Sequence, residues 1–169
     1  MKISKLIFVL IVLFLSSCSK GYYLPNGAYR PKKANFSILN TPFKTNNLLD
    51  NSRVYIVKEP FINAFGEKVF GYMGFYPDGK LIVGSGTDKE LHEKLSLNNL
   101  FNTSFTIGYY TTNGNIIQLE YFVPDDGGRY HVREGNIEND YIVFFKKVTL
   151  LTKKEIRKEI LVKSNYVLK

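Results

Sequence analysis

The stretch from Ser104 to Pro124 constrains the fold more than any other part of the chain. Apolar and polar residues alternate on both sides of Asn113-Gly114, and Asn-Gly between two alternating segments is a strong short-range signal for a β-hairpin. Successive side chains of a strand point to opposite faces, so the pairing register decides which residues share a face.

Two turns fit this hairpin. A two-residue turn at Asn113-Gly114 would mix polar and apolar residues on one face, whereas a three-residue turn at Thr112–Gly114, pairing Thr111 with Asn115, separates them. The hydrophobic pattern therefore predicts the three-residue turn. The apolar face would then consist of Phe105, Ile107, Tyr109, Ile117, Leu119 and Tyr121.

Similar strand and turn signals recur along the chain. Arg53–Lys58 is rich in β-branched residues, Val69–Ser85 is a hairpin around a Pro-Asp-Gly turn, and Tyr130–Glu134 and Tyr141–Val148 form a further pair. Strands at short intervals without a βαβ rhythm indicate an antiparallel barrel or a barrel-like sandwich. We predict a mainly β fold, an antiparallel barrel with one or two short helices.

Two segments have the form of a helix N-terminal capping box. Thr87–Glu90 is followed by leucines spaced for one helical face, which predicts a short helix. Thr152–Glu155 repeats the form, with isoleucines spaced for a helical face. For 153–163 the sequence leaves helix and strand open, and a final strand is expected over Tyr166–Leu168.

The turns between Gly71 and Lys147 carry a family resemblance. The runs Phe-Tyr-Pro-Asp-Gly-Lys, Asn-Gly-Asn-Ile-Ile-Gln-Leu-Glu-Tyr-Phe and Glu-Gly-Asn-Ile-Glu-Asn-Asp-Tyr-Ile resemble the lipocalin-like lipoproteins common in Bacteroidetes. The resemblance implies a lipocalin-like barrel and covers about half of the chain after the leader. It differs from true lipocalins, which carry a Gly-x-Trp motif, because the chain has no tryptophan.

One face of each barrel strand points to an interior that is either filled by side chains or holds a small ligand. Tyrosines offer an apolar body with a polar tip, which suits an apolar or amphiphilic ligand. The candidate lining residues are Phe105, Ile107, Tyr109, Leu119 and Tyr121. The alternative is that these side chains simply fill a core.

The N-terminus has the three-part organisation of a secretory signal. Lys2 and Lys5 precede the unbroken apolar run Leu6–Leu15, which ends at small serines. A membrane-spanning helix needs roughly 20 apolar residues, so this run is too short to be one.

The segment Leu15–Cys18 resembles the lipobox of bacterial lipoproteins. The resemblance implies cleavage before Cys18 and attachment of a diacylglyceryl group, with acyl chains such as palmitate, to its thiol, and Ser19 in place of Asp favours the outer membrane. Cys18 is the chain's single cysteine, so we expect no disulfide. The expected organisation is a signal peptide at 1–17, a tether and irregular lead-in at 18–47, and a barrel domain at 48–169.

Positive charge is concentrated at the C-terminal end. Residues 18–145 carry 13 basic and 13 acidic residues, whereas 146–169 carry eight basic and two acidic. In an exported protein this charge favours an anionic lipid or an envelope protein over nucleic acid. The candidate contact residues are Lys153, Lys154, Arg157 and Lys158. The alternative is that they are solubilising charges.

The sequence contains no enzyme signature. Two isolated histidines, His92 and His131, without a cysteine partner give weak support for a zinc site. Asp125-Asp126 before two glycines is more typical of a turn than of a carboxylate pair for acid–base chemistry. We predict a non-catalytic protein without a metal or cofactor. It would bind a small apolar or amphiphilic ligand or, alternatively, act as an envelope structural or interaction protein through its outer surface and basic C-terminal segment.

Overall fold

The computed structural model describes residues 21–44, 47–96, 100–125, 128–150 and 153–168, with the backbone alone for 146–150 and 153–157. Within these ranges the strands are β1 (Gly21–Tyr23), β2 (Tyr29–Pro31), β3 (Arg53–Val57), β4 (Phe61–Ile62), β5 (Lys68–Phe75), β6 (Lys80–Gly86), β7 (Thr106–Asn113), β8 (Ile116–Val123), β9 (Arg129–Glu138), β10 (Tyr141–Leu150) and β11 (Lys153–Val167). The helices are α1 (Asp88–Leu95) and α2 (Leu100–Thr103), and a 3-10 turn spans Ser37–Asn40.

Eight strands form a closed antiparallel barrel. They pair in the order β3-β11-β10-β9-β8-β7-β6-β5, and the pairing of β3 with β5 closes the circle. Both short helices lie between β6 and β7. The prediction of a mainly β protein with an antiparallel, lipocalin-like barrel and one or two short helices is confirmed.

The strand directions define two ends of the barrel. The proximal end carries the connections 58–67, 87–105 and 124–128, together with the end of β10 and the start of β11. The distal end carries the short turns 76–79, 114–115 and 139–140.

The distal half of the interior is a packed core, and the loop before β3 closes that end. The Asn51 side chain donates to the Tyr110 hydroxyl at 2.7 Å, and that hydroxyl donates to the Tyr76 carbonyl at 2.7 Å. Burial raises the pKa of Tyr110 to about 12, so the hydroxyl keeps its proton. The core side chains are Leu49, Tyr55, Met73, Phe75, Leu81, Tyr110, Ile117, Leu119, Ile137, Ile142, Phe144 and Leu161.

The hairpin β7–β8 is present, but its predicted register is wrong. Asn113 pairs with Ile116, so the turn residues are Gly114 and Asn115 and not Thr112–Gly114. Gly114 has a φ of 60°, a conformation that glycine adopts without a steric penalty.

This register divides the predicted apolar face between the two sides of the barrel wall. Leu119 and Tyr121 face the interior, whereas Ile107 and Tyr109 lie on the outer face. The Tyr109 ring there packs edge-on against buried Phe36, with 4.9 Å between the ring centroids. Since the outer face is also covered by apolar side chains, the hydrophobic pattern could not select the register.

Residues 21–44, expected within the tether and irregular lead-in at 18–47, pack along the outer face of β7–β9. Glu120 on β8 fixes this segment, because its carboxylate accepts hydrogen bonds from the Ser37 hydroxyl and the Ile38 amide, each at 2.9 Å. The Glu120 side chain is buried on this face, and both hydrogen bonds go to its Oε2 atom. The described part of this range is therefore docked on the barrel.

Helix α1 begins with the predicted capping box. The Glu90 amide donates to the Thr87 hydroxyl at 3.4 Å, and the Glu90 carboxylate accepts from the Thr87 amide at 2.8 Å. Leu91 and Leu95 are buried, as their spacing predicts. They pack on the outer barrel face in a second cluster with Val54, Tyr72, Ile82 and Leu100.

The segment 153–163, for which helix and strand were open, belongs to strand β11, so the capping-box form at 152–155 does not start a helix. β11 forms ten antiparallel pairs with β10, from Leu150–Lys153 to Tyr141–Val162. This ladder satisfies the backbone groups that a helix would have satisfied internally. Thr152 lies outside the described residues, and the final strand expected near Tyr166 is the end of β11.

Candidate ligand-binding cavity

β9 and β10 pair over only part of their length. Their four pairs run from Tyr141–Glu138 to Phe144–Gly135. Beyond Phe144, within the part of the chain that the structure describes, β10 pairs with β11 and residues 129–134 of β9 pair with β8. The barrel wall is therefore divided at the proximal end, and β10 continues with β11 as a two-stranded ribbon.

A cavity of about 710 Å³ lies at this division. This volume falls within the range of about 300–1,000 Å³ that is typical of small-molecule sites. The cavity is lined by Tyr121, His131, Val132, Arg133, Glu134, Phe145 and Glu159. It therefore combines residues that face the barrel interior with residues at the divided wall.

A charged pair forms the cavity floor. Arg133 Nη1 donates to Glu159 Oε1 at 2.8 Å, and the guanidinium carbon lies 4.4 Å from the centroid of the Phe144 ring. Arg133 Nη2 is buried and has no hydrogen-bond partner among the described residues. Burial of a hydrogen-bond donor without a partner costs free energy. Here the donor belongs to a charged group that packs against the apolar ring of Phe144.

Aromatic rings form the walls. The Tyr121 and His131 rings are stacked, with centroids 5.5 Å apart and an interplanar angle of 14°. Phe145, which is 49% exposed, follows buried Phe144 on β10 and therefore points to the opposite side of the strand. The lining is more polar than apolar, because the side chains of His131, Arg133, Glu134 and Glu159 adjoin the aromatic and aliphatic surface. A molecule that binds here would need a polar part as well as an apolar part.

Of the five predicted lining residues, Tyr121 is the one that lines this cavity. Leu119 is fully buried in the distal core, and Ile107 and Tyr109 lie on the outer face. Phe105 precedes β7 and is 39% exposed.

The predicted anchor and anionic-surface residues lie mostly in parts whose side chains are not described. Cys18 is outside the described residues. Lys153, Lys154 and Arg157 are placed on β11 by their backbone alone. The exposed Lys158 side chain is described, and its ammonium lies 6.0 Å from the centroid of the Phe145 ring, at the edge of the cavity.

Two smaller cavities lie on the outer face, beside the docked segment 21–44. The first, of about 390 Å³, is lined by Ile38–Phe43 together with Tyr109, Tyr110 and Thr111. The second, of about 350 Å³, adjoins it and reaches the distal turn of β7–β8. We call the first the outer groove. It is the alternative to the larger cavity as a ligand site.

Neither a metal centre nor a membrane-spanning helix is present in the described ranges. No group of three histidine, cysteine or acidic side chains there could hold a metal ion. None of the helices described is long and apolar enough to cross a membrane. His131 and Glu134 line the cavity, whereas Asp126 lies outside the described residues.

The chain matches no protein-family model, no curated protein and no solved structure at a significant level of similarity. The class that the fold defines is a closed antiparallel barrel with a cavity in its wall.

Proposed function

We propose that this protein is a lipid-anchored envelope lipoprotein whose barrel binds a small apolar or amphiphilic ligand without catalysis. The observation that carries the proposal is the cavity of about 710 Å³ between β9 and β10. It has aromatic walls and a charged floor, which together suit an acyl chain or aromatic body with a polar end.

The anchoring part of the proposal is supported by the sequence. A basic start, an apolar run of ten residues and Leu15-Ser16-Ser17-Cys18 have the form of a lipoprotein signal. Lipidation of Cys18 would hold the protein at the envelope, in the outer membrane rather than the inner one. One acyl chain binds membranes only marginally, so stable anchoring requires two or more chains on the cysteine.

Tryptophan reporters test the ligand site, because the natural chain has no tryptophan. Phe145→Trp places the fluorophore at the cavity, and Tyr141→Trp is the matched control on the same strand and face, 36% exposed beside the distal turn. We expect saturating laurate to shift the emission of F145W to shorter wavelength and to leave Y141W unchanged. An unchanged spectrum for both variants would contradict a ligand site at this cavity.

A second candidate function is interaction of the basic ribbon with an anionic membrane or envelope component. Residues 146–158 carry six basic residues and one acidic residue on two strands that, beyond Phe144, pair only with each other in the described part of the chain. Such a ribbon can reach a surface that the closed barrel cannot. Each basic residue near an anionic bilayer contributes about 1 kcal/mol to binding.

Charge neutralisation on the ribbon tests this candidate. In a Cys18→Ser background, which removes the acyl chains, replacing Lys153, Lys154, Arg157 and Lys158 by glutamine should weaken binding to phosphatidylglycerol vesicles at least about tenfold. High salt should have the same effect on the unsubstituted ribbon.

The matched control replaces four exposed lysines elsewhere by glutamine. These are Lys33, Lys44, Lys68 and Lys89. Equal weakening by the two sets, measured by vesicle sedimentation, would show that net charge and not the ribbon governs binding.

A further inference from the structure

The connection between β4 and β5 presents apolar side chains to solvent at the proximal end. Phe61 and Ile62 on β4 are 55% and 60% exposed, and Phe65 in the following turn is 88% exposed. Single exposed apolar residues are common, but three within five positions on one hairpin form a candidate contact surface. We call residues 61–65 the apolar tip.

The turn that carries Phe65 is built by a defined set of hydrogen bonds. The Asn63 side-chain oxygen accepts from the amides of Phe65 at 2.9 Å and Glu67 at 3.0 Å, and the Asn63 carbonyl accepts from the Gly66 amide at 3.0 Å. Gly66 has a φ of 79°, which glycine supplies without strain. These bonds order the turn backbone that carries Phe65 at an exposed position.

The beginning of the described chain is held at the same end of the barrel. Arg30 on β2 is buried and donates to the carbonyls of Phe105 at 2.7 Å and Ser104, in the connection that enters β7. Burial lowers the pKa of the Arg30 guanidinium. The two carbonyls accept its hydrogen bonds and so hold it in place. β1 pairs with β2 from Gly21 opposite Pro31, so Gly21 is tied to the proximal end.

The proposed lipid attachment lies close to this point. Cys18 precedes Gly21 by three residues, and three residues span at most about 10 Å. An acylated Cys18 would therefore keep Gly21, and with it the part of the proximal end to which Gly21 is tied, within about 10 Å of the bilayer surface. The apolar tip and the cavity between β9 and β10 are both at this end.

We infer that the proximal end faces the bilayer and that the apolar tip inserts Phe65 into the boundary between lipid headgroups and acyl chains. Aromatic side chains favour this boundary, and burying apolar surface there adds to binding. The inference rests on the proposed anchor at Cys18, and it places the cavity on the membrane side of the barrel. A ligand taken from the bilayer would then have a short path to the cavity.

Depth-dependent quenching tests the inference with the lipidated protein in phosphatidylcholine vesicles that contain a lipid brominated on its acyl chain. Phe65→Trp is the reporter, and Tyr141→Trp beside the distal turn is the control. We expect F65W to be quenched about threefold more strongly than Y141W, because only the proximal tip reaches the acyl region. Equal quenching, or none in F65W, overturns the inference.

Mass analysis of the purified protein separates the two proposals. If acyl chains are found on Cys18 and F65W is not quenched, the orientation is wrong and the anchor stands. If no acyl chain is found, the anchor fails, and F65W in a Cys18→Ser background with the same vesicles decides whether the tip binds lipid by itself. A concentration-dependent spectral change of F65W without lipid would instead assign the tip to self-association and overturn the inference.

Discussion

Replacing Phe144 by alanine is expected to lower the free energy of unfolding by about 3–5 kcal/mol, as for other buried phenylalanines. Phe144 is fully buried where the distal core meets the cavity, and its ring lies under the Arg133 guanidinium. A Cβ on Gly135 would lie only 2.7 Å from the Phe144 ring, so the ring packs directly on that backbone. The loss is a large part of the roughly 5–15 kcal/mol by which domains are stable.

Phe145 supplies the matched control for this prediction. It is the next residue on β10, faces the opposite side and is 49% exposed, so Phe145→Ala should cost no more than about 1 kcal/mol. Urea unfolding of both variants in the Cys18→Ser background measures the difference. Equal losses would mean that the Phe144 ring is not part of a packed core.

Much of the fold can be read from local signals. The turn around Gly79, which has a φ of 84°, joins β5 to β6 as predicted, and the Thr87 capping box begins a helix. Such signals act within a few residues, and nothing in the tertiary structure opposes them here.

Local signals failed where two structures compete for the same residues. The form of the segment at 152–155 is compatible with a helix start, but ten pairs with β10 make 153–162 a strand. In the β7–β8 hairpin, Asn113 pairs with Ile116, whereas the predicted register pairs Thr111 with Asn115. This difference moves Tyr109 from the predicted interior to the outer face. Coverage by residues 21–44 makes that outer face suitable for an aromatic side chain.

The cavity depends on contacts that no local pattern specifies. Arg133 and Glu159 are 26 positions apart and meet because β9, β10 and β11 are consecutive in the sheet. Their spacing carries no recognisable motif, and the interruption of the β9–β10 pairing after Phe144 has no signal in composition. The barrel was therefore predictable from the sequence, and the position of its cavity was not.

Replacing Tyr121 by alanine is expected to weaken laurate binding about tenfold, which corresponds to about 1.4 kcal/mol. The Tyr121 ring forms one wall of the cavity and stacks on His131, so its removal deletes apolar contact with a bound chain. Tyr109→Ala is the matched control. The Tyr109 ring packs on Phe36 and Phe101 on the outer face. Its removal should therefore lower the free energy of unfolding without changing the affinity for laurate.

This pair of variants also separates the cavity from the outer groove, because Tyr109 lines that groove and Tyr121 does not. The most direct test of a ligand site between β9 and β10 is the dissociation constant for laurate, measured by titration calorimetry on the unsubstituted protein and both variants. We expect an increase of about tenfold for Y121A and no change for Y109A. An increase for Y109A with no change for Y121A would place the ligand in the outer groove and contradict a ligand site between β9 and β10.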